Sequence, residues 1–416
     1  MIFYSQIRGD VMKKVFIIFI SIALLTFIFL FAIEHLFTQD LPAENTINLE
    51  NAETKETEQS TIVTKIEDQH FSMSVIGDIM CHNTQYKDAY NSSTGTYDFS
   101  YVFEDIKSYV SEADIAVGNL ETTFAGKDRG YSNYPRFNTP EQLAYNLKNF
   151  GIDVLSTANN HCMDTNFSGL VSTLNYLDDA GISYMGTNAT EEAQDKILVK
   201  DVNSIKVAFL AFTYGTNGIP VPSDKSFAVN LIDDNLILEQ ISLAKAQNPD
   251  LICVSMHWGI EYQTKQNSEQ ERLANLLFEN GVDVILGSHP HVLQPMEKRT
   301  VTLEDGSTKD CFVIYSLGNF MSGQTKTNTR NSVILNMSFT KSGETGQTTI
   351  DSVSYVPIYM YKASSGGTQR YRVLDIEKTI ANYESGIDTS INQSTYSTLK
   401  TELSKIKETM GENIEF

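Results

Sequence analysis

Asn280-Gly281-Val282-Asp283-Val284-Ile285-Leu286-Gly287-Ser288-His289-Pro290-His291 decides how this chain folds. A helical pattern stops at Gly281, which can take the left-handed cap conformation. The apolar run Val282–Leu286 then reads as a strand, and two imidazoles stand where it ends. The same grammar recurs at Asn149-Phe150-Gly151-Ile152-Asp153-Val154 and at Asp179-Ala180-Gly181-Ile182-Ser183-Tyr184. Repeated helix-then-strand units specify an α/β protein with a mostly parallel inner sheet, whose ligand-binding edge lies at the strand carboxyl ends.

Working outward, strands are expected at Phe71–Ile76, Ile115–Val117, Ile152–Ser156, Lys206–Phe212, Leu251–Met256, Val282–Leu286 and Cys311–Tyr315. Helix starts are expected at Thr139-Pro140-Glu141-Gln142 and Ser268-Glu269-Gln270-Glu271, each with a capping hydroxyl and a Glu or Gln three residues later. Beyond Phe320 the pattern turns to alternation. Ser332–Phe339 and Thr348–Pro357 read as a hairpin completing a second sheet, and residues 389–410 as an exposed polar helix.

At the other end, Val15–Ile33 is an uncharged apolar run preceded by Arg8, Lys13 and Lys14. At about 1.5 Å per residue it spans a hydrocarbon core of about 30 Å. It exceeds the usual apolar region of a signal peptide, no small-x-small cleavage site follows, and the basic flank favours a cytoplasmic N-terminus. The expected order is a cytoplasmic segment 1–14, a single transmembrane anchor 15–37, an acidic linker 38–69, an extracytoplasmic core 70–322, a β-rich completion 323–380 and a polar helical tail 381–416. Expected localisation is the cell membrane. The 416 residues carry 31 Lys+Arg against 52 Asp+Glu, a net charge of −21, which sets nucleic acid aside as a partner. Four cysteines far apart in sequence make no disulfide scaffold, and Cys81 and Cys162 read as packing residues.

Of seven histidines, four (His161, His257, His289, His291) directly follow an expected strand. Asp78 follows the first strand, and Glu121 the second in Gly118-Asn119-Leu120-Glu121. Ala158-Asn159-Asn160-His161 with Asp164 follows the third, and His257-Trp258-Gly259 with Glu261 follows Leu251–Met256. Carboxylates, an amide and imidazoles thus converge on one rim, a donor set suited to Zn, Mn or Fe, as one or two divalent ions. His289 and His291, two apart on an extended segment, face the same way. Such ions polarise a phosphoryl oxygen and activate water, which is hydrolytic chemistry. His82 either reaches the site or caps a turn. Arg136 either grips an anion or is an ordinary surface arginine, and Asn319 either lines the pocket or belongs to a glycine turn.

With Gly77-Asp78, Gly118-Asn119-Leu120-Glu121, Ala158-Asn159-Asn160-His161, His257-Trp258-Gly259 with Glu261 and Tyr262, Gly287-Ser288-His289-Pro290-His291 and Ser316-Leu317-Gly318-Asn319-Phe320 in this order, the chain resembles the CapA (PgsA-like) family of capsule and poly-γ-glutamate synthesis proteins, which belongs with the calcineurin-like metallophosphoesterases. The resemblance runs from about Phe71 to Phe320. It implies a four-layer α/β/β/α sandwich with metal ligands Asp78, Asn160, His257, His289 and His291, and with His161 contacting a scissile phosphate or protonating its leaving group. Asp164 and Glu261 join His161 as catalytic candidates; Arg136, Trp258 and Asn319 are substrate-binding candidates. The sequence departs from the superfamily pattern at Met80, where a histidine is usual, and at Asn119, where an aspartate is usual. Glu121 is then the nearest candidate bridge, and the full metal pair, a single metal and a family-specific rearrangement using Glu121 with or without His82 stand as alternatives. Three functions are carried forward: support of the synthesis, export or attachment of an anionic capsule polymer; an independent metal-dependent phosphoesterase; and a non-catalytic polymer-binding or assembly subunit.

Overall fold

The computed structural model describes residues 66–302, 306–363, 371–387 and 390–416. The segment 15–37, and the linker as far as residue 65, lie outside the described residues. Among those described, no helix is long and apolar enough to cross a membrane.

Among the described residues, the principal strands are β1 (Gln69–Ile79), β2 (Ile115–Leu120), β3 (Val154–Ser156), β4 (Ser183–Met185), β5 (Leu198–Val202), β6 (Ile205–Thr213), β7 (Leu251–His257), β8 (Val284–Ser288), β9 (Leu293–Thr302), β10 (Thr308–Leu317), β11 (Asn319–Met321), β12 (Asn331–Lys341), β13 (Thr348–Lys362) and β14 (Tyr371–Asp375). The principal helices are α1 (Gln142–Phe150), α2 (Asn166–Ala180), α3 (Asp234–Lys245), α4 (Ser268–Glu279), α5 (Ile376–Glu384) and α6 (Gln393–Met410). They build two sheets. One has the order β14-β13-β12-β1-β2-β3-β4, with β11 beside β1; the other has the order β9-β10-β8-β7-β6-β5. In the first, β1 to β4 run parallel; in the second, β6, β7, β8 and β10 do.

Alternation along the strands makes the layers. Phe71, Met73 and Val75 of β1 meet Val207, Phe209, Cys253, Leu286 and Ile314 between the sheets. Ile76, Ala116 and Leu155 face outward onto Leu143, Leu147 and Phe150 of α1. Leu210, Val254, Met256 and Ile285 face outward onto Ile237 and Ile241 of α3 and Leu273 and Leu277 of α4. The layering is therefore α/β/β/α. Full burial of each of the larger of these side chains stabilises by about 1.5–3 kcal/mol.

Each glycine joint behaves as its sequence requires: Gly151, Gly181 and Gly281 have φ of 125°, 73° and 90°. The ladders after the first and third joints begin two residues later than expected, at Val154 and Val284. Asp153 and Asp283 instead turn their carboxylates onto the amides of Ala116 (3.1 Å) and Ile252 (2.8 Å) in the neighbouring strands.

Four expectations need correction. The hairpin β12–β13 extends the first sheet, because β12 pairs antiparallel with β1 from Gln69↔Lys341 to Val75↔Leu335. The helix α1 starts at Gln142, and the Thr139 hydroxyl bonds Thr122 (2.7 Å) because both are buried and need a partner. The capping box of α4 is one residue earlier, with Asn267 Oδ1 accepting from Gln270 N (2.9 Å) and Gln270 Oε1 from Asn267 N (3.0 Å). The helix near the C-terminus is not simply exposed: α6 buries Leu399, Ile406 and Met410 in the inter-sheet core. Residues Thr64–Phe416 form one compact unit.

Candidate metal centre

Two close backbone approaches shape the carboxyl edges, the first between the sheets and the second within one of them. Asp78 N donates to Gly318 O (2.9 Å), and a Cβ on Gly77 would lie 2.1 Å from that same oxygen. In β8, a Cβ on Gly287 would lie 2.0 Å from Tyr315 O. Glycine at both places lets β1 and β8 press against β10 and brings their following residues together.

The side chains that result are buried: Asp78 and Glu121 at 0 %, Asn160 and His257 at 1 %, His291 at 2 % and His289 at 4 % exposure. His257 Nε2 stands 3.0 Å from Asn160 Oδ1 and 3.7 Å from Glu121 Oε1. On the other side, His291 Nε2 stands 3.8 Å from the same Glu121 oxygen, and His291 Nδ1 stands 3.3 Å from Asp78 Oδ2. Two donors about 2.1 Å from one ion and 90–110° apart are separated by roughly 3.0–3.5 Å, so these spacings approximate coordination shells. Three groups have donor atoms within 4.8 Å of one another: Glu121, His257 and His289; Asp78, Glu121 and His291; and Glu261, His289 and His291. The first two share Glu121.

Glu121 provides the test of fit. Among the described residues, neither Glu121 oxygen has a hydrogen-bond partner, and His289 Nδ1 also lacks one. A buried carboxylate with both oxygens unpaired is costly unless a cation faces it. Burial, then the Asp78 and Glu261 carboxylates, hold the Glu121 carboxyl well above its ordinary pKa. Burial and the neighbouring His289 and His291 push His257 well down, and burial followed by His291 pushes His289 down to about 3. Neutral imidazoles with free lone pairs around an uncompensated carboxyl suit a divalent cation of the Mn, Zn or Fe type.

Outer partners aim the donors. His257 Nδ1 lies 2.9 Å from Ser288 Oγ; with the proton there, Nε2 is free toward Glu121 and Asn160. Asn160 Nδ2 donates to Asn217 Oδ1 (3.1 Å), turning its Oδ1 toward His257. Asn119 Nδ2 donates to Asp78 Oδ1 (2.8 Å), so Asn119 orients a carboxylate and Glu121 occupies the space between the two groups of donors. His289 and His291 hold φ of 96° and 58°, and Tyr262 holds 69°, conformations that cost of order 1–3 kcal/mol each in non-glycine residues and cluster at functional sites.

His161 Nδ1 lies 2.7 Å from Asp164 Oδ2, which also accepts from Phe137 N (2.6 Å). The Phe137 ring meets His161 edge-on at 4.8 Å. Asp164 thus fixes His161. Glu261 is exposed beside His289 and His291.

Two substrate-binding expectations change, those for Trp258 and Asn319. Trp258, adjacent to His257, faces the opposite side of the sheet; it is 1 % exposed, packs in the α4-side core and donates its ring N–H to Tyr315 O (2.9 Å). Asn319 spends its amide on Thr329 O (2.9 Å) and Gln324 Oε1 (3.2 Å), and presents Oδ1 to His291 Nδ1 at 3.1 Å, so it orients an imidazole. Arg136 is exposed on the loop that carries Phe137. His82 accepts at Nδ1 from Gly323 N (3.0 Å), and its own amide donates to Gln85 Oε1 (2.9 Å), so it ties a helix start to the loop after β11. Met80 is buried with its amide on Met321 O (2.7 Å). All four cysteines are buried and free, and burial raises the Cys81 and Cys162 thiols, the latter to about 12, which leaves neither as a nucleophile.

Tyr214 and Asn217 were not anticipated. Both follow β6, a sixth strand end whose aromatic and amide groups lack the obvious ligand character of histidine and carboxylate.

The family model described as "Bacterial capsule synthesis protein PGA_cap" matches residues 72–324. The chain is 30% identical over 278 residues to the capsule biosynthesis protein CapA of Bacillus anthracis, covering 65% of this chain and 64% of that protein. It is 29% identical over 279 residues to the PGA biosynthesis protein CapA of Bacillus subtilis strain 168, covering 66% and 70%. Among solved structures, it matches the calcineurin-like phosphoesterase YfkN of Bacillus subtilis with a TM-score of 0.40 and 15% identity over 82% of this chain and 99% of that one. The match to the NAD nucleotidase of Haemophilus influenzae has a TM-score of 0.42 and 14% identity over 82% and 61%. The chain belongs to the PGA_cap family of bacterial capsule synthesis proteins.

Proposed function

We propose that this protein is a membrane-anchored, outward-facing member of a capsule-polymer machinery. It supports the synthesis, export or attachment of an anionic polymer of the poly-γ-glutamate type through a metal-dependent centre. The single observation that carries the metal-dependent part is Glu121, fully buried with both oxygens unpartnered between His257 and His291. Relatives named for capsule and PGA biosynthesis support the polymer, and the uncharged run Val15–Ile33 supports the anchor.

Asp78, Glu121 and His291 would hold one ion, and Glu121, Asn160, His257 and His289 a second or alternative one. A divalent ion supplies Lewis acidity, polarising a phosphoryl or carbonyl oxygen. His161, with Nδ1–H directed at Asp164, keeps Nε2 for proton exchange with a substrate group. This fixed pair favours a second reading, an independent phosphoesterase with His161 as general acid.

The test is complementation of a strain lacking this chain, scored by surface polymer. Wild type restores polymer and Glu121→Gln does not; full restoration by Glu121→Gln defeats the metal-dependent part and leaves a binding or assembly role. Hydrolysis of p-nitrophenyl phosphate by wild type that disappears in His257→Ala, with polymer unaffected, favours the phosphoesterase.

A further inference from the structure

Tyr214 stands one residue beyond β6, and its amide donates to His257 O (3.0 Å). Its ring lies parallel to the His257 imidazole, at 9° and a centroid distance of 6.2 Å, and 4.5 Å from that of His289. One aromatic side chain therefore stands against both imidazoles that would hold the second ion with Glu121 and Asn160. It remains 47 % exposed, while His257, His289 and Asn160 are at 1 %, 4 % and 1 %. A packing tyrosine would be covered; this one covers its neighbours and faces solvent.

Tyr214 also lines a pocket of about 220 Å³ whose other walls include Ile232, Trp258, Gln270 and Leu273. Tyr214 thus adjoins both the buried imidazoles and a cavity sized for a small substituent. A half-exposed phenol in that position meets an arriving ligand and keeps its O–H available as a donor, and a donor aimed where negative charge is held acts strongly in a partly dry site.

We propose that Tyr214 is a substrate-contacting residue of this centre, shielding the Asn160–His257–His289 donors from bulk water and donating its hydroxyl to an oxyanion, phosphate or carboxylate, bound against them. The inference rests on the metal-dependent reading above.

The test uses the full-length chain in detergent, loaded with Mn2+. Metal content is measured first, then calorimetric binding of two probes, inorganic phosphate and γ-glutamyl-glutamate, to wild type, Tyr214→Phe and Tyr214→Ala. Tyr214→Phe keeps the ring and removes only the donor, so the expected result is an unchanged Mn2+ content with affinity for at least one probe lowered about tenfold or more, the range for a hydrogen bond to a charged group. Tyr214→Ala loses at least as much. A loss confined to phosphate identifies a phosphoryl ligand, and one confined to the dipeptide a carboxylate. Variants that bind both probes as wild type does, or a Mn2+-loaded wild type that binds neither, overturn the role of Tyr214. A wild type that takes up no Mn2+ defeats the metal-dependent reading itself.

Discussion

Replacing Glu121 by glutamine keeps the shape of a fully buried side chain and removes the charge shared by two groups of donors. Without a cation, burial and Asp78 push the wild-type carboxyl toward its neutral form, in which acid and amide carry the same charge. Ion-free stabilities then agree within about 1 kcal/mol. With a divalent ion at 100 times its dissociation constant, wild type gains about 2.7 kcal/mol. A unit of about 350 residues unfolds with an entropy worth about 0.7 kcal/mol per degree, so that gain raises Tm by about 4 °C. Losing the shared carboxylate weakens binding at least about 100-fold, the upper range for removing even an outer partner of a ligand. At the same ion concentration the variant gains about 0.4 kcal/mol, or about 0.6 °C. Differential scanning fluorimetry with Mn2+, Zn2+ and Fe2+ after chelator treatment measures both shifts. Equal shifts in the two proteins, or none in wild type with any of the ions, refute the reasoning.

His161→Ala and Asp164→Asn should leave ion content unchanged and lower any hydrolytic turnover by about 100- to 10,000-fold, the range for losing a general acid; normal turnover would remove His161 from the chemistry. Ion loading should shift Glu121 from the neutral form that its raised pKa favours toward the carboxylate, with release of protons, whereas the lowered pKa of His257 and His289 favours imidazoles with none to give. Affinity therefore rises with pH, and titration calorimetry in buffers of different ionisation enthalpy should detect a release that Glu121→Gln lacks; identical release in both proteins contradicts this. Away from the centre, Lys309→Met strips the Asp283 carboxylate of an ammonium at 2.7 Å. Breaking a fully buried pair costs about 3–5 kcal/mol, and the 26% exposure of the Lys309 side chain reduces this to about 1–3 kcal/mol in a urea melt, with ion content unchanged.

Much of the centre was legible because its chemistry is local to strand ends. An imidazole or carboxylate directly after a buried parallel strand has few structural reasons to be there, and Asp78, Glu121, His257, His289 and His291 all announced themselves that way. Alternation carries the same information further: Asn119 and Glu121, two apart, both turn toward the centre, while Trp258, one step from His257, turns into the opposite core. What stayed hidden depends on long-range pairing. The hairpin β12–β13 was visible as a hairpin, but its place beside β1 rests on partners about 270 residues away, such as His70 and Thr340. The buried residues Leu399, Ile406 and Met410 of α6 form a thin stripe in a polar segment, and only the core they close gives the stripe meaning. Asn319 looked like a pocket residue because it sits at the right edge; its hydrogen bonds, not its position, commit it to His291.

Anomalous scattering from crystals of the Mn2+-loaded protein tests the central claim most directly. The expected map has one or two peaks about 2.0–2.3 Å from a Glu121 oxygen, with imidazole nitrogens of His257 or His291 in the same shells. Peaks only elsewhere on the molecule, with Glu121 far from any ion, would contradict it.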